Sequence, residues 1–255
     1  MTRAPEQAGE LIRRLERRGA QVFLLPAVKF APPKDWTALD AALRQLPRFD
    51  WVLFTSQNAV RFFAARAAEL SIAIRSADGR PMIAAVGPAT AKAAVEEGMS
   101  VDYVAKEHTD EALAREMRET LASRAVLLPR SNRADERLPT ALWEAGACVT
   151  EAAAYRVVAP EELDPAIVKR IRRKEADAIV FASPSAFQNL STAIPASVLA
   201  KLSRRIQFAA IGPTTALALR ESGVRVEIEA EEASSAGLVG AIVKYYERQG
   251  SKEPR

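Results

Sequence analysis

Cysteine and histidine are almost missing from this chain. A single cysteine, Cys148, excludes an internal disulfide and any cysteine-based metal cluster. A single histidine, His108, excludes a multi-histidine metal site. The longest apolar runs, such as Val126-Leu127-Leu128-Pro129, fall far short of the ~20 residues that a membrane span needs. The opening, Met1-Thr2-Arg3-Ala4-Pro5-Glu6, has no apolar stretch of the kind a secretory signal carries. Aromatic residues are 6% of the chain, too few for the stacking surface of a nucleic-acid binder. Neither a P-loop nor a Gly-x-Gly-x-x-Gly turn occurs, so nucleotide binding has no support. These absences leave a soluble cytoplasmic protein that works without a metal, a cofactor, a nucleic acid or a membrane.

What is present suits two domains of ordinary size: 255 residues, 49% hydrophobic and 27% charged. Lysine and arginine number 36 against 32 acidic residues, a net +4 spread along the chain. The cluster Lys169-Arg170-Ile171-Arg172-Arg173-Lys174 reads as the solvated flank of one helix. A small or medium acidic ligand fits this balance, although charge alone does not establish one. His108 reads as an ordinary loop residue, Cys148 as a buried strand residue, and Trp51 and Trp143 as core.

The chain repeats itself. Phe49-Asp50-Trp51-Val52-Leu53-Phe54-Thr55-Ser56 matches Ala176-Asp177-Ala178-Ile179-Val180-Phe181-Ala182-Ser183 at an offset of 127. Ile83-Ala84-Ala85-Val86-Gly87-Pro88-Ala89-Thr90-Ala91 matches Phe208-Ala209-Ala210-Ile211-Gly212-Pro213-Thr214-Thr215-Ala216 at an offset of 125. Arg3 and Gly19 fall on Arg130 and Gly146 at 127, and Gly98 on Gly223 at 125. A register held this far implies two homologous halves.

Each half alternates short Val/Ile/Leu/Ala/Phe runs with stretches of helical period. Strands are expected at about 21–25, 51–55, 82–86, 101–104, 125–129, 147–150, 178–182, 207–211 and 225–229. Helices are expected at about 6–18, 57–70, 88–97, 110–121, 133–145, 164–174, 184–192, 213–222 and 235–247. Continuous apolar strands belong to parallel sheets covered by helices on both faces, so the pattern predicts a doubly wound α/β architecture in each half. Phe30-Ala31-Pro32-Pro33 and Val158-Ala159-Pro160 stand at equivalent points and read as linkers.

In such sheets ligands bind beyond the carboxyl ends of the strands. Those ends share one chemistry here. Thr55-Ser56-Gln57-Asn58 pairs with Ser183-Pro184-Ser185, Gly87-Pro88-Ala89-Thr90 with Gly212-Pro213-Thr214-Thr215, and Pro129-Arg130-Ser131-Asn132 with Thr2-Arg3. Ser or Gly before Pro is a helix start, with Pro at the first helical position where its missing N–H is tolerated. The open N–H groups of such starts favour carboxylate or phosphate. Taken alone each motif is an ordinary cap, but its duplication points toward a ligand. Tyr155 stands where a strand runs into a linker; it is either core or a hydroxyl aimed into a cleft, because a buried phenol needs a partner.

This ordered series resembles the uroporphyrinogen-III synthase family over nearly the whole chain. The pieces that carry the resemblance are Thr2-Arg3, Val52-Leu53-Phe54-Thr55-Ser56-Gln57-Asn58-Ala59-Val60, Ala85-Val86-Gly87-Pro88-Ala89-Thr90, Leu127-Leu128-Pro129-Arg130, Tyr155-Arg156, Phe181-Ala182-Ser183-Pro184-Ser185-Ala186 and Ala210-Ile211-Gly212-Pro213-Thr214-Thr215-Ala216. The resemblance implies two flavodoxin-like domains joined by a two-strand linker, residues 1–31 plus about 157–255 and about 32–156. It implies a monomer that takes linear hydroxymethylbilane, with its eight carboxylates, and uses no cofactor. It further implies closure to uroporphyrinogen III with loss of water and inversion of ring D through a spiro intermediate. Tyr155 matches the family tyrosine that assists departure of the hydroxyl. Arg3, Ser56, Asn58, Gly87, Thr90, Arg130, Ser183, Ser185, Gly212, Thr214 and Thr215 become the expected substrate-binding positions. The alternative is a non-enzymatic, two-lobed binding or sensor protein for a small anion.

One departure from the family is expected to matter. Ala125-Val126-Leu127-Leu128 precedes Pro129-Arg130, whereas Met1 stands where the equivalent strand before Thr2-Arg3 would be ending. On this reading five or six native upstream residues would raise the melting temperature.

Overall fold

The computed structural model describes residues 1–74, 79–107 and 109–250; His108 lies outside the described residues. The chain divides into two units, Phe30–Val157 and Met1–Lys29 with Val158–Arg255. Up to the middle of the chain the elements are α1 (Pro5–Glu16), β1 (Lys29–Ala31), α2 (Thr37–Arg44), β2 (Trp51–Phe54), α3 (Gln57–Glu69), β3 (Met82–Ala85), α4 (Pro88–Glu96), β4 (Tyr103–Val104), α5 (Asp110–Glu116) and α6 (Arg118–Leu121). Then come β5 (Ala125–Ser131), α7 (Arg137–Glu144), β6 (Cys148–Val158), α8 (Pro165–Arg172), β7 (Ala178–Phe181), α9 (Pro184–Ala193), α10 (Ala196–Leu202), β8 (Gln207–Ala210), α11 (Pro213–Glu221), β9 (Ile228–Glu229) and α12 (Ser235–Gly250).

The fold is α/β with parallel sheets. One sheet runs β1-β6-β5-β2-β3-β4 and the other β7-β8-β9. Register shows the internal repeat in three dimensions. Trp51 lies beside Met82 and Ala84 beside Tyr103; their counterparts Ala178 and Gln207, and Ala209 and Ile228, are paired the same way. Gly98 and Gly223 both have left-handed φ, +79° and +77°, just beyond α4 and α11. A β-carbon is disfavoured in that conformation, so the repeat keeps glycine where each helix must stop.

The apolar strands are buried on both faces. In β2, Val52 and Phe54 belong to one core with Phe63, Ile83 and Leu127. Trp51 and Leu53 belong to a second core with Leu113, Val126, Leu128 and Leu142 on the opposite face. A period of two with no polar face is what helices on both sides of a sheet demand. The other unit packs Leu11 and Leu15 of α1 and Leu238 and Ile242 of α12 against Val180 and Ala209.

Several expectations are corrected. Residues 21–25 form no strand. Their backbone bonds to the chain start without forming a regular strand: Met1 N donates to Phe23 O at 2.8 Å and Leu25 N to Met1 O at 2.8 Å, followed by Ala27 N to Thr2 O at 3.1 Å, while Thr2 N donates to Val180 O at 3.0 Å. The strand expected at 147–150 continues to Val158, and α2 and α10 fall outside the expected helices because their apolar spacing lasts barely two turns. Trp143 is exposed rather than core: α7 buries Leu138, Pro139 and Leu142, and the next residue lies about 100° further round the helix. Cys148 is in a strand but exposed, at the first position of β6.

Candidate active site

β6, β5 and β2 are neighbours in the sheet, and their carboxyl ends bring polar side chains to one place. Ser56 follows β2 as the N-cap of α3, where its Oγ accepts the Ala59 amide at 3.1 Å. That Oγ also shares a hydrogen bond of 3.1 Å with the Tyr155 hydroxyl. Tyr155 reaches this position through an irregularity in the β5–β6 ladder. Arg130 is paired with Ala153, but the register then shifts and Ser131 is paired with Tyr155. Without the shift Ser131 would face Ala154 in place of Tyr155; bulges beside functional sites re-aim side chains in this way.

The Tyr155 ring is buried, stacked on Phe62 with centroids 5.8 Å apart and met edge-on by Phe30 at 5.8 Å. Burial pushes the phenol pKa up, and hydrogen bonds with Ser56, Ser131 and the buried Asn58 pull it back, while Asp110 adds to the rise. The net upward direction keeps the hydroxyl protonated at neutral pH. It is therefore a held, neutral hydrogen-bond donor.

Asp110 is the residue that sequence reasoning missed. It opens α5 after the Thr109 cap and is half-buried. Its pKa is pushed up to about 6, first by burial and then by Glu111 and Asp135, against the pull of Arg130 and Arg137. An acid in the first turn of a helix is ordinary, so Thr109-Asp110-Glu111 carries no local signal of a neighbouring tyrosine.

Arg130 is placed differently from expectation. It is buried, its Nη1 donates to Glu151 Oε2 at 2.6 Å, and its Nη2 donates to the Asp135 carbonyl. Gly87 is buried and extended, follows β3 and leaves the first turn of α4 without a side-chain cap. Thr90 is buried one turn into that helix.

The second unit has its own row of strand ends. Ser183 follows β7 and accepts the Ala186 amide at 3.2 Å as the cap of α9. Gly212 follows β8 and leaves α11 uncapped. Thr215 is buried, Thr214 is exposed and Ser185 is half-buried and partnered. Arg3 Nη1 donates to Ser235 Oγ at 3.1 Å, at the start of α12. Among the described residues no group of three or more His, Cys, Asp or Glu is placed to hold a metal ion, and no helix is long and apolar enough to cross a membrane.

Comparison with known proteins gives the family. The family described as Uroporphyrinogen-III synthase HemD matches residues 9–240. A uroporphyrinogen-III synthase of Synechococcus elongatus is 30% identical over 249 residues, which is 96% of this chain and 93% of that protein. One from Chlorobaculum parvum is 26% identical over 246 residues, 96% of this chain and 97% of that protein. The crystal structure of a mutant uroporphyrinogen III synthase from Thermus thermophilus matches at a TM-score of 0.61 over 98% of this chain and 97% of that one, with 22% identity, a likeness of fold.

Proposed function

This chain belongs to the uroporphyrinogen-III synthase family, and from that premise we propose that Tyr155 assists loss of the substrate hydroxyl while the strand-end loops hold the substrate's acidic arms. The enzyme cyclises hydroxymethylbilane to uroporphyrinogen III in tetrapyrrole biosynthesis. Left alone the bilane closes to the type I isomer, so the protein's work is to hold the chain for closure at the substituted carbon of ring D.

The first bond to break is the hydroxymethyl C–O bond, whose electron pair leaves on oxygen. The oxygen takes up a proton and departs as water. The Tyr155 phenol, kept neutral, donates its hydrogen bond to that oxygen as negative charge gathers there. Ser56, bonded to the phenol oxygen, supports it as its proton shifts outward, with the polar side chains of Ser131 and Asn58 acting on the same hydroxyl. The observation that carries this reading is the 3.1 Å Ser56–Tyr155 bond at the ends of β2 and β6.

The acidic arms meet helix starts. Gly87 and Gly212 leave the first turns of α4 and α11 uncapped, with N–H groups available to carboxylates. Asn58 and Thr90 in one unit, and Ser183, Ser185, Thr214 and Thr215 in the other, stand at strand ends where hydroxyls and amides add hydrogen bonds. We take the enzyme to act as a cytoplasmic monomer on this single small substrate, without nucleic acid or membrane; the interspersed charge of +4 supports that reading.

A coupled assay tests the function. Hydroxymethylbilane is generated in situ, the protein is added, and the products are oxidised and separated by chromatography. A dominant type III uroporphyrin is expected. Type I alone would overturn the reading, and a non-enzymatic binder would give that result.

A further inference from the structure

The repeat duplicates an arginine, and the two copies have opposite surroundings. Arg130 is neutralised by Glu151 and the Asp135 carbonyl. Arg3, its counterpart 127 residues earlier, has no carboxylate within ion-pair distance among the described residues. The offset that places Arg130 on Arg3 places Glu151 on Leu24, so the paired acid has no counterpart. The charge that acts most on Arg3 is Glu10, and Glu10 is bonded to Arg14 at 2.8 Å.

The donors of Arg3 are correspondingly idle. Nη1 has one bond, to Ser235 Oγ at 3.1 Å, and Nε is buried without a partner. Nη2 makes no hydrogen bond to the described residues, and it is not among the buried unpartnered atoms, so it is the end that meets solvent. A half-buried guanidinium with a buried, unpartnered Nε and no anion beside it is a destabilising arrangement that a ligand would relieve. Burial accordingly lowers its pKa. A β-carbon on Gly237, in the first turn of α12, would collide with the Glu232 carbonyl oxygen, so glycine lets the preceding chain close on the turn that carries Ser235.

We propose that Arg3, with Ser235, anchors one carboxylate arm of the substrate, and that its duplicate Arg130 is a structural strut with no substrate contact. The assignment rests on the synthase reading for its ligand, a propionate- or acetate-bearing tetrapyrrole. It divides two arginines that the sequence presents as equivalent.

The test uses the full chain with Arg3→Gln, Arg3→Lys and Arg130→Gln, reading KM, kcat and Tm. For Arg3→Gln the KM rises about 10–100-fold, the range of a charge-assisted hydrogen bond, and the loss falls on KM more than on kcat. Its Tm stays level or rises, because an uncompensated charge has been removed. Arg3→Lys lies between Gln and the parent in KM. Arg130→Gln lowers Tm and leaves KM within about twofold. An unchanged KM in Arg3→Gln, or a Tm loss as large as that of Arg130→Gln, overturns the proposal. Thermal shift with uroporphyrin III, which carries eight carboxylates, reads the anchor without turnover: the parent is stabilised and Arg3→Gln is not. A parent that makes only the type I isomer sinks the synthase reading, and equal shifts for parent and Arg3→Gln sink the anchor.

Discussion

Tyr155 shows what one side chain can and cannot reveal in advance. Its place at the end of a strand was visible, and so was the rule that a buried phenol needs a partner. The identity of the partners was not, because Ser56 is 99 residues away in sequence and Ser131 reaches it only through a ladder shift. Tyr155→Phe keeps the ring between Phe30 and Phe62 and removes only the donor. We expect kcat to fall roughly 100-fold with Tm nearly constant, the lower end of the range for a positioned proton donor; a coupled assay with a melting curve checks both.

Asp110 gives a second residue-scale prediction, in pH. Its folded value of about 6 lies above the ordinary aspartate value of about 3.9, so the folded chain holds the proton longer than the unfolded chain. Stability from this group is complete below about pH 4 and declines as pH rises through about 6. Asp110→Asn is therefore more stable than the parent above pH 6, and the difference closes toward pH 4. Denaturant midpoints across that range measure it; a gap that widens on acidification would refute it.

Among the elements, the helix starts were the most legible part of the site. Ser before Pro and Gly before Pro encode the cap and the first turn locally, so α4, α9 and α11 begin at Pro88, Pro184 and Pro213, within a residue of expectation. The duplicated caps do different work, however. Ser183 Oγ accepts the Ala186 amide, whereas Ser56 Oγ accepts the Ala59 amide and also meets Tyr155. Ser183→Ala should cost about 1 kcal/mol, as cap removals do. Ser56→Ala should show the same loss of stability together with a fall in kcat approaching that of Tyr155→Phe. Equal kcat in the two serine variants would separate Ser56 from the reaction.

For the whole molecule, the repeat is the organising fact. Phe54 and Phe181 are equivalent, fully buried, and packed on Phe63 and on Phe187 and Phe208. Each belongs to the core of its own unit. Truncation to Ala should cost about 3–5 kcal/mol in either case. Hydrogen exchange should locate the lost protection in residues 30–157 for Phe54→Ala, and in 1–29 and 158–250 for Phe181→Ala.

The chain alone determined the parallel α/β class, the two homologous halves, most strands and helices, and the strand-end loops as the place to look. All of these are written in local periodicity, in Gly-Pro and Ser-Pro punctuation, and in spacing that repeats. Tertiary structure alone decided which equivalent residues remain equivalent. Trp143 and Cys148 turned outward because a helix face and a strand end, rather than hydrophobicity, set their exposure. Arg130 found Glu151 on the neighbouring strand, and Arg3 found no carboxylate among the described residues, Leu24 standing at the position equivalent to Glu151. Asp110 came within electrostatic reach of Tyr155. Pairing of this kind depends on strand order and register, which join residues far apart in the chain and leave no mark in the sequence around either partner.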